Sequence, residues 1–170
     1  MHRVLGDVFC GVWASDQLPL LTRSFTPPSY FIVNTHKGHQ PGEHWLSLTL
    51  EEDGTGTFFD SFGFAPDFNY YPRSILQFLE NRSSKILYHN LQLQNPLSDA
   101  CGQHCVYYLY HRACGLSFQQ VLSLYDDDAI KNDLEASNFV KKFQRCIRNR
   151  SKFCQQGACS LETFKRRAML

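Results

Sequence analysis

Between residues 44 and 62 the chain alternates in two short runs. His44, Leu46, Leu48 and Leu50 interleave with Trp45, Ser47 and Thr49, and after Asp53-Gly54 a second run puts Phe58 and Asp60 on one face. A period of two belongs to strands, and Asp-Gly between two such runs marks a tight turn. The segment predicts a β-hairpin of strands 44–51 and 56–62. Upstream, "SYFIVNT" (29–35) is β-branched and aromatic and follows "TPPS", which stops a helix; it predicts another strand.

Downstream the period changes. Ile75, Leu76, Phe78 and Leu79 sit close to helical spacing, with Pro72 in the first turn, and predict a helix over 71–81. Leu87, His89, Leu91 and Leu93 return to alternation and predict a strand over 85–94, ended by Asn95-Pro96. After Ser98 and Asp99, both good caps, apolar or aromatic residues at 101, 105, 106, 108, 109 and 113 predict a largely buried helix that stops at Gly115. Residues 117–125 and 136–150 read as further helices, with Asp126–Asp128 in the connection. There is no internal repeat and no low-complexity tract.

At 170 residues, 43% hydrophobic and 14% aromatic, the chain has the size and content of one globular domain with a packed core. No apolar run approaches the roughly 18 residues of a membrane helix, and "MHRVLGDVFCGVW" lacks the apolar core and small-residue cleavage site of a signal peptide, so an intracellular chain is expected. The seven cysteines (10, 101, 105, 114, 146, 154 and 159) are odd in number, which fits a reducing compartment and thiols used mostly in packing. The net charge of +1 hides an asymmetry: residues 1–140 carry 8 Lys+Arg against 15 Asp+Glu, −7, and residues 141–170 carry 9 against 1, +8. A basic tail of this kind can bind DNA through its phosphates, or act as a solvated helix that neutralises the acidic body in cis.

"QNPLSDACGQHCVYY" (94–108) is the stretch with the densest candidate chemistry. A thiolate is stabilised by a helix N-terminus and by a nearby imidazolium. Cys101 falls in the first helical turn, where backbone N–H groups are free, and Cys105 lies a full turn deeper, where they are committed; Cys101 is therefore the nucleophile candidate and Cys105 a packing residue. A catalytic thiol needs a base and the base an orienting group. With the hairpin turn near 52–54, His44 and Asp60 become near neighbours across the strands, so the carboxylate can hold one imidazole nitrogen and aim the other. The plainer alternative is a chance pair on a surface hairpin. Gln94, at a strand end just before the Cys101 loop, can join the Cys101 N–H as an oxyanion donor, or be an ordinary solvated glutamine.

The order "HW", then "FDSFG", then "Q" followed by "DACGxxC" resembles the adenovirus protease family, whose relatives include the SUMO and ubiquitin-like-protein proteases and the proteases of Polinton-type transposons. The likeness runs from about residue 8 to residue 118. It implies an α+β fold, a central and mostly antiparallel sheet with the catalytic helix packed against it. It also implies His44 as general base, Asp60 as orienting carboxylate, Gln94 as oxyanion side chain, Cys101 as nucleophile, and Trp45 as an aromatic flanking the site or else a plain core residue. The implied domain covers residues 1–140, with 141–170 as a basic helical tail of the same unit. The implied activity is a cysteine endopeptidase that cleaves viral or transposon capsid or core precursors at Gly-containing sites, in the nucleus of a host cell or in a virion. No cofactor is required for such chemistry, and DNA or a peptide are the candidate activators. Two features depart from the family. No cysteine lies between Cys10 and Cys101, which argues against activation through a peptide disulfide, and the segment before the first strand is short, as in a minimal or truncated domain.

Three rival readings stand beside it. Cys101, His104, Cys105 and Cys114, or the Cys146, Cys154 and Cys159 group, lack the paired spacing of a structural zinc site, so no metal is expected. A non-catalytic module of the same fold would hold a capsid protein or DNA. A ubiquitin-like-protein protease would share the mechanism and differ in substrate.

Overall fold

The computed structural model describes residues 1 and 5–148, with side chains described as far as residue 145. Five strands form one sheet in chain order: β1 (Phe9–Ala14), β2 (Ser29–Asn34), β3 (Trp45–Leu50), β4 (Thr55–Phe59) and β5 (Lys85–Leu87). The inner pairs β2–β3 and β3–β4 are antiparallel, whereas the edge strands β1 and β5 run parallel to their neighbours. The predicted antiparallel centre is thus flanked by parallel edges. A parallel neighbour needs a crossover, and α1 (Arg73–Glu80) supplies it between β4 and β5.

Helices cover both faces. On one, Ile75, Phe78 and Leu79 of α1 pack on Phe31, Val33, Leu46, Leu48 and Phe58. On the other lie α2 (Cys101–Ala113), α3 (Phe118–Leu122) and α4 (Ala129–Arg148). There Tyr108, Leu109, Phe118 and Val121 pack on Tyr30, Ile32 and Phe59. The polar alternates of the hairpin are consequently buried as well. Thr49 and Thr57 share a hydrogen bond of 2.7 Å, and Thr57 meets the Tyr108 hydroxyl at 2.7 Å. These bonds satisfy hydroxyls whose burial would otherwise cost about 1–3 kcal/mol each. They also fix α2 over β3 and β4.

Several predicted elements differ in extent. The 85–94 strand ends at Leu87, opposite Thr57 and two residues short of the end of β4 at Phe59. Instead Leu93 and Gln94 both donate their amides to Ser61 O at 2.9 Å, and the alternation fails, with Leu91 exposed between buried His89 and Leu93. The N-cap of α2 is Ala100, with no side-chain cap, rather than Ser98 or Asp99. Helix α4 starts at Ala129 instead of 136, the Asp128 carboxylate accepting the Ile130 amide at 2.9 Å, and it runs without a break past 140. Strand β1 has no sequence signal, since Gly11 (φ +119°) lies in a bulge that interrupts its pattern. The predicted tail beyond 148 lies outside the described residues.

Candidate active site

The β3–β4 register pairs Ser47 with Phe59 and Leu50 with Gly56. Carried one rung further it opposes Asp60 to residue 46, so His44 is one diagonal step away, beyond the last ladder rung. His44 Nε2 and Asp60 Oδ1 are 2.6 Å apart. Asp60 is almost fully buried and each of its oxygens is shared. Oδ1 also accepts the Phe62 amide at 3.0 Å, and Oδ2 accepts the Phe64 amide at 2.9 Å and the Tyr71 hydroxyl at 2.7 Å. Burial opposes the charge on Asp60, but the His44 contact, the tyrosine hydroxyl and the amide outweigh it and hold the carboxyl below its ordinary range. The imidazole is stacked against Phe62 (4.9 Å, 24°) and Tyr71 (6.1 Å, 12°), which restrict its rotation.

With Nε2 committed to Asp60, Nδ1 is the nitrogen left for a thiol. Cys101 occupies the first helical position of α2, and its thiol interacts with the His44 imidazole. Burial would raise the thiol pKa, yet the imidazole and the amides of Trp45 and Gly102 lower it below the ordinary value. Burial alone would likewise make His44 less basic; the interactions with Asp60 and Cys101 reverse this and raise it to about 9. The two shifts favour a thiolate–imidazolium pair. Cys105, one turn deeper, is almost fully buried and desolvation pushes its thiol well above the ordinary value.

Gln94 is fully buried and held at both ends. Ser61 Oγ donates to its Oε1 at 2.7 Å, while its Nε2 donates to Ser98 O at 2.8 Å and to Ser98 Oγ at 3.2 Å. An amide nitrogen facing a carbonyl, and an amide oxygen facing a hydroxyl, fix the orientation of the group. Gln94, His44 and Cys101 line one open cleft of about 410 Å³, together with Glu43, Trp45, Phe62, Phe64 and Tyr70. Trp45 meets both of its expectations: it borders the cleft and packs on the core beneath α2. Three of the four sequence candidates, His44, Gln94 and Cys101, therefore line one cleft, and Asp60 lies buried behind His44.

Sequence reasoning missed the supporting residues. Ser61 and Phe62 lie inside "FDSFG" with nothing in the spacing to mark a role, and Tyr71 sits just before the Pro72 N-cap of α1, whose sequence signal is its apolar period alone. His104, considered for zinc, turns away from the thiols and bonds Asp133 at 2.8 Å. Among the described residues no group of three His, Cys, Asp or Glu side chains converges as a metal site, and no helix is long and apolar enough to cross a membrane.

Over 89 residues the chain is 35% identical to the protease of porcine adenovirus A serotype 3, a match that covers 46% of this chain and 44% of that protein. The chain resembles an adenovirus-type protease. It spans less than half the length of that curated relative. No family model matches. Among solved structures the ASFV pS273R protease overlaps 63% of this chain and 43% of its own, at a TM-score of 0.40 and 21% identity. The Legionella pneumophila effector protein RavZ overlaps 76% and 48%, at 0.32 and 12%. Overlaps this loose decide nothing, so the likeness rests on sequence.

Proposed function

We propose that this chain is a thiol endopeptidase with Cys101 as nucleophile, His44 as proton carrier, Asp60 as its orienting group and Gln94 as an oxyanion donor. The observation that carries the reading is one imidazole gripped by a buried carboxylate at 2.6 Å and set beside a thiol at an uncapped helix N-terminus, at the edge of an open cleft. The Cys101 thiolate attacks the peptide carbonyl carbon, forming the C–S bond and moving the carbonyl electrons onto oxygen. The Cys101 N–H and a Gln94 Nε2 hydrogen, exchanged from its longer 3.2 Å contact with Ser98 Oγ, stabilise that oxyanion. His44 gives its proton to the departing amine as the C–N bond breaks, leaving an acyl-thioester. Water, deprotonated by His44, then releases the acid and restores the thiolate.

The substrates proposed are viral or transposon capsid or core precursors cut at glycine-containing sites. Phe62, Phe64 and Tyr70 on the border of the cleft offer aromatic surface against which the bare main chain of glycine residues can lie, which supports this preference. The positive charge of 141–170 supports recruitment to DNA. Peptide cleavage tests the reading: Cys101→Ala abolishes hydrolysis of a Gly-Gly peptide and Cys105→Ala keeps most of it. The reverse pattern reassigns the nucleophile.

A further inference from the structure

Two consecutive residues at the start of α4 reach back to the loop that precedes α2. Asn132, itself buried, donates from Nδ2 to Leu93 O at 3.0 Å and to Asp126 O at 2.9 Å. Asp133 uses both oxygens: Oδ2 accepts the Asn95 amide at 3.3 Å, and Oδ1 accepts Nε2–H of His104 at 2.8 Å. The residue between Leu93 and Asn95 is Gln94. His104 is completely buried, three residues beyond Cys101 on α2, and its other ring nitrogen has no partner. Burial lowers its pKa more than Asp133 raises it, so the ring is a neutral donor to the carboxylate.

One carboxylate thus ties the loop that carries the Gln94 amide to the helix that carries the Cys101 N–H. Those two donors have to lie about 3 Å from a single developing oxyanion, and their mutual spacing is what such a site depends on. Fastening α4 to the body does not require this arrangement. Phe139 already packs against Tyr107 (5.3 Å) and Tyr110 (4.9 Å) of α2.

We infer that Asp133, assisted by Asn132, is a positioning residue that sets the distance between the Gln94 and Cys101 donors. The inference rests on the thiol-peptidase reading and extends it to a helix with no residue in the cleft. Asn at 133 keeps the shape but cannot accept at both positions, so one donor, Asn95 N–H or His104 Nε2–H, then faces an NH₂ group.

The test compares wild type, Asp133→Asn, Gln94→Ala and the double variant in the full chain, with a fluorogenic Gly-Gly peptide and with iodoacetamide, whose attack by Cys101 builds no oxyanion. Asp133→Asn is expected to lower kcat about 10- to 100-fold, with KM and the Cys101 alkylation rate held within about twofold. In the Gln94→Ala background the same change adds less than about threefold, because the group it positions is gone. An equal loss in both backgrounds, a parallel loss of alkylation, or an unchanged kcat overturns the inference. Should Asp133→Asn fail to fold, Asn132→Ala is read by the same criteria. A wild-type protein that is alkylated at Cys101 yet cleaves no peptide overturns the peptidase reading instead, and the inference falls with it.

Discussion

Opposing effects act on the sulfur of Cys101. Burial disfavours its ionisation, and one imidazole with two backbone amides favours it more strongly. His44 carries the largest side-chain part of that balance, so His44→Ala is expected to slow iodoacetamide labelling of Cys101 at pH 6, because less of the thiol is then ionised. Stopped-time labelling with peptide mapping measures it; an unchanged rate means the thiolate owes nothing to the imidazole. That Cys101 starts a helix and Cys105 lies a turn deeper was legible in the sequence, because helical depth can be counted from residue spacing. Tyr71 was not legible. Its hydroxyl reaches Asp60 from a helix start that carries no chemical pattern, and only the turn at 60–64 brings the two together.

That turn is where the elements meet most tightly. Gly63 has φ +78°, its amide donates to Asp60 O at 2.9 Å, and a Cβ there would lie 2.5 Å from Leu91 O. Gly63→Ala therefore combines a left-handed backbone cost of about 1–2 kcal/mol with a backbone clash of about 1–3 kcal/mol. It is expected to lower stability in urea melts by about 2–5 kcal/mol in sum. Peptide cleavage falls with it, since the Phe62 and Phe64 amides that hold Asp60 move with the turn. A melt within experimental error of wild type contradicts this packing. The hairpin was readable because its alternation coincides with an Asp-Gly turn. Residues 88–94 misled because an alternating pattern states which face a strand would bury and not whether a partner strand exists. The true start of α4 at Ala129 was hidden, since an aspartate cap such as Asp128 within a run of three aspartates does not announce which one ends the loop.

Across the whole molecule the acid and base of the site make stability depend on pH. His44 has its pKa raised from 6.5 to about 9, so its contribution is fully present below pH 6.5 and is lost as pH rises through about 9. Asp60 has its pKa depressed below 3.8, so its contribution is present above that value and is lost as pH falls through its folded pKa. Cys101, whose pKa is lowered, runs the opposite way between pH 6.5 and 9 and offsets His44 there, so the clean window is on the acid side. Thermal melts are expected to show the wild type losing stability below pH 3.8 more steeply than Asp60→Asn, and parallel curves would contradict the depressed pKa. At this scale the sequence conveyed the α+β class and the antiparallel centre of the sheet. It could not convey the parallel edge strands or the reach of Asp133 to His104, which depend on contacts between distant segments.

All of this chemistry depends on His44 making the Cys101 thiolate reactive toward peptide carbonyls. Incubating the protein with a Gly-Gly peptide ended by an electrophile, then locating the adduct by mass spectrometry, tests that dependence most directly. A single adduct per chain is predicted, on Cys101, and lost in His44→Ala. An adduct on another cysteine, or equal labelling with and without His44, contradicts it.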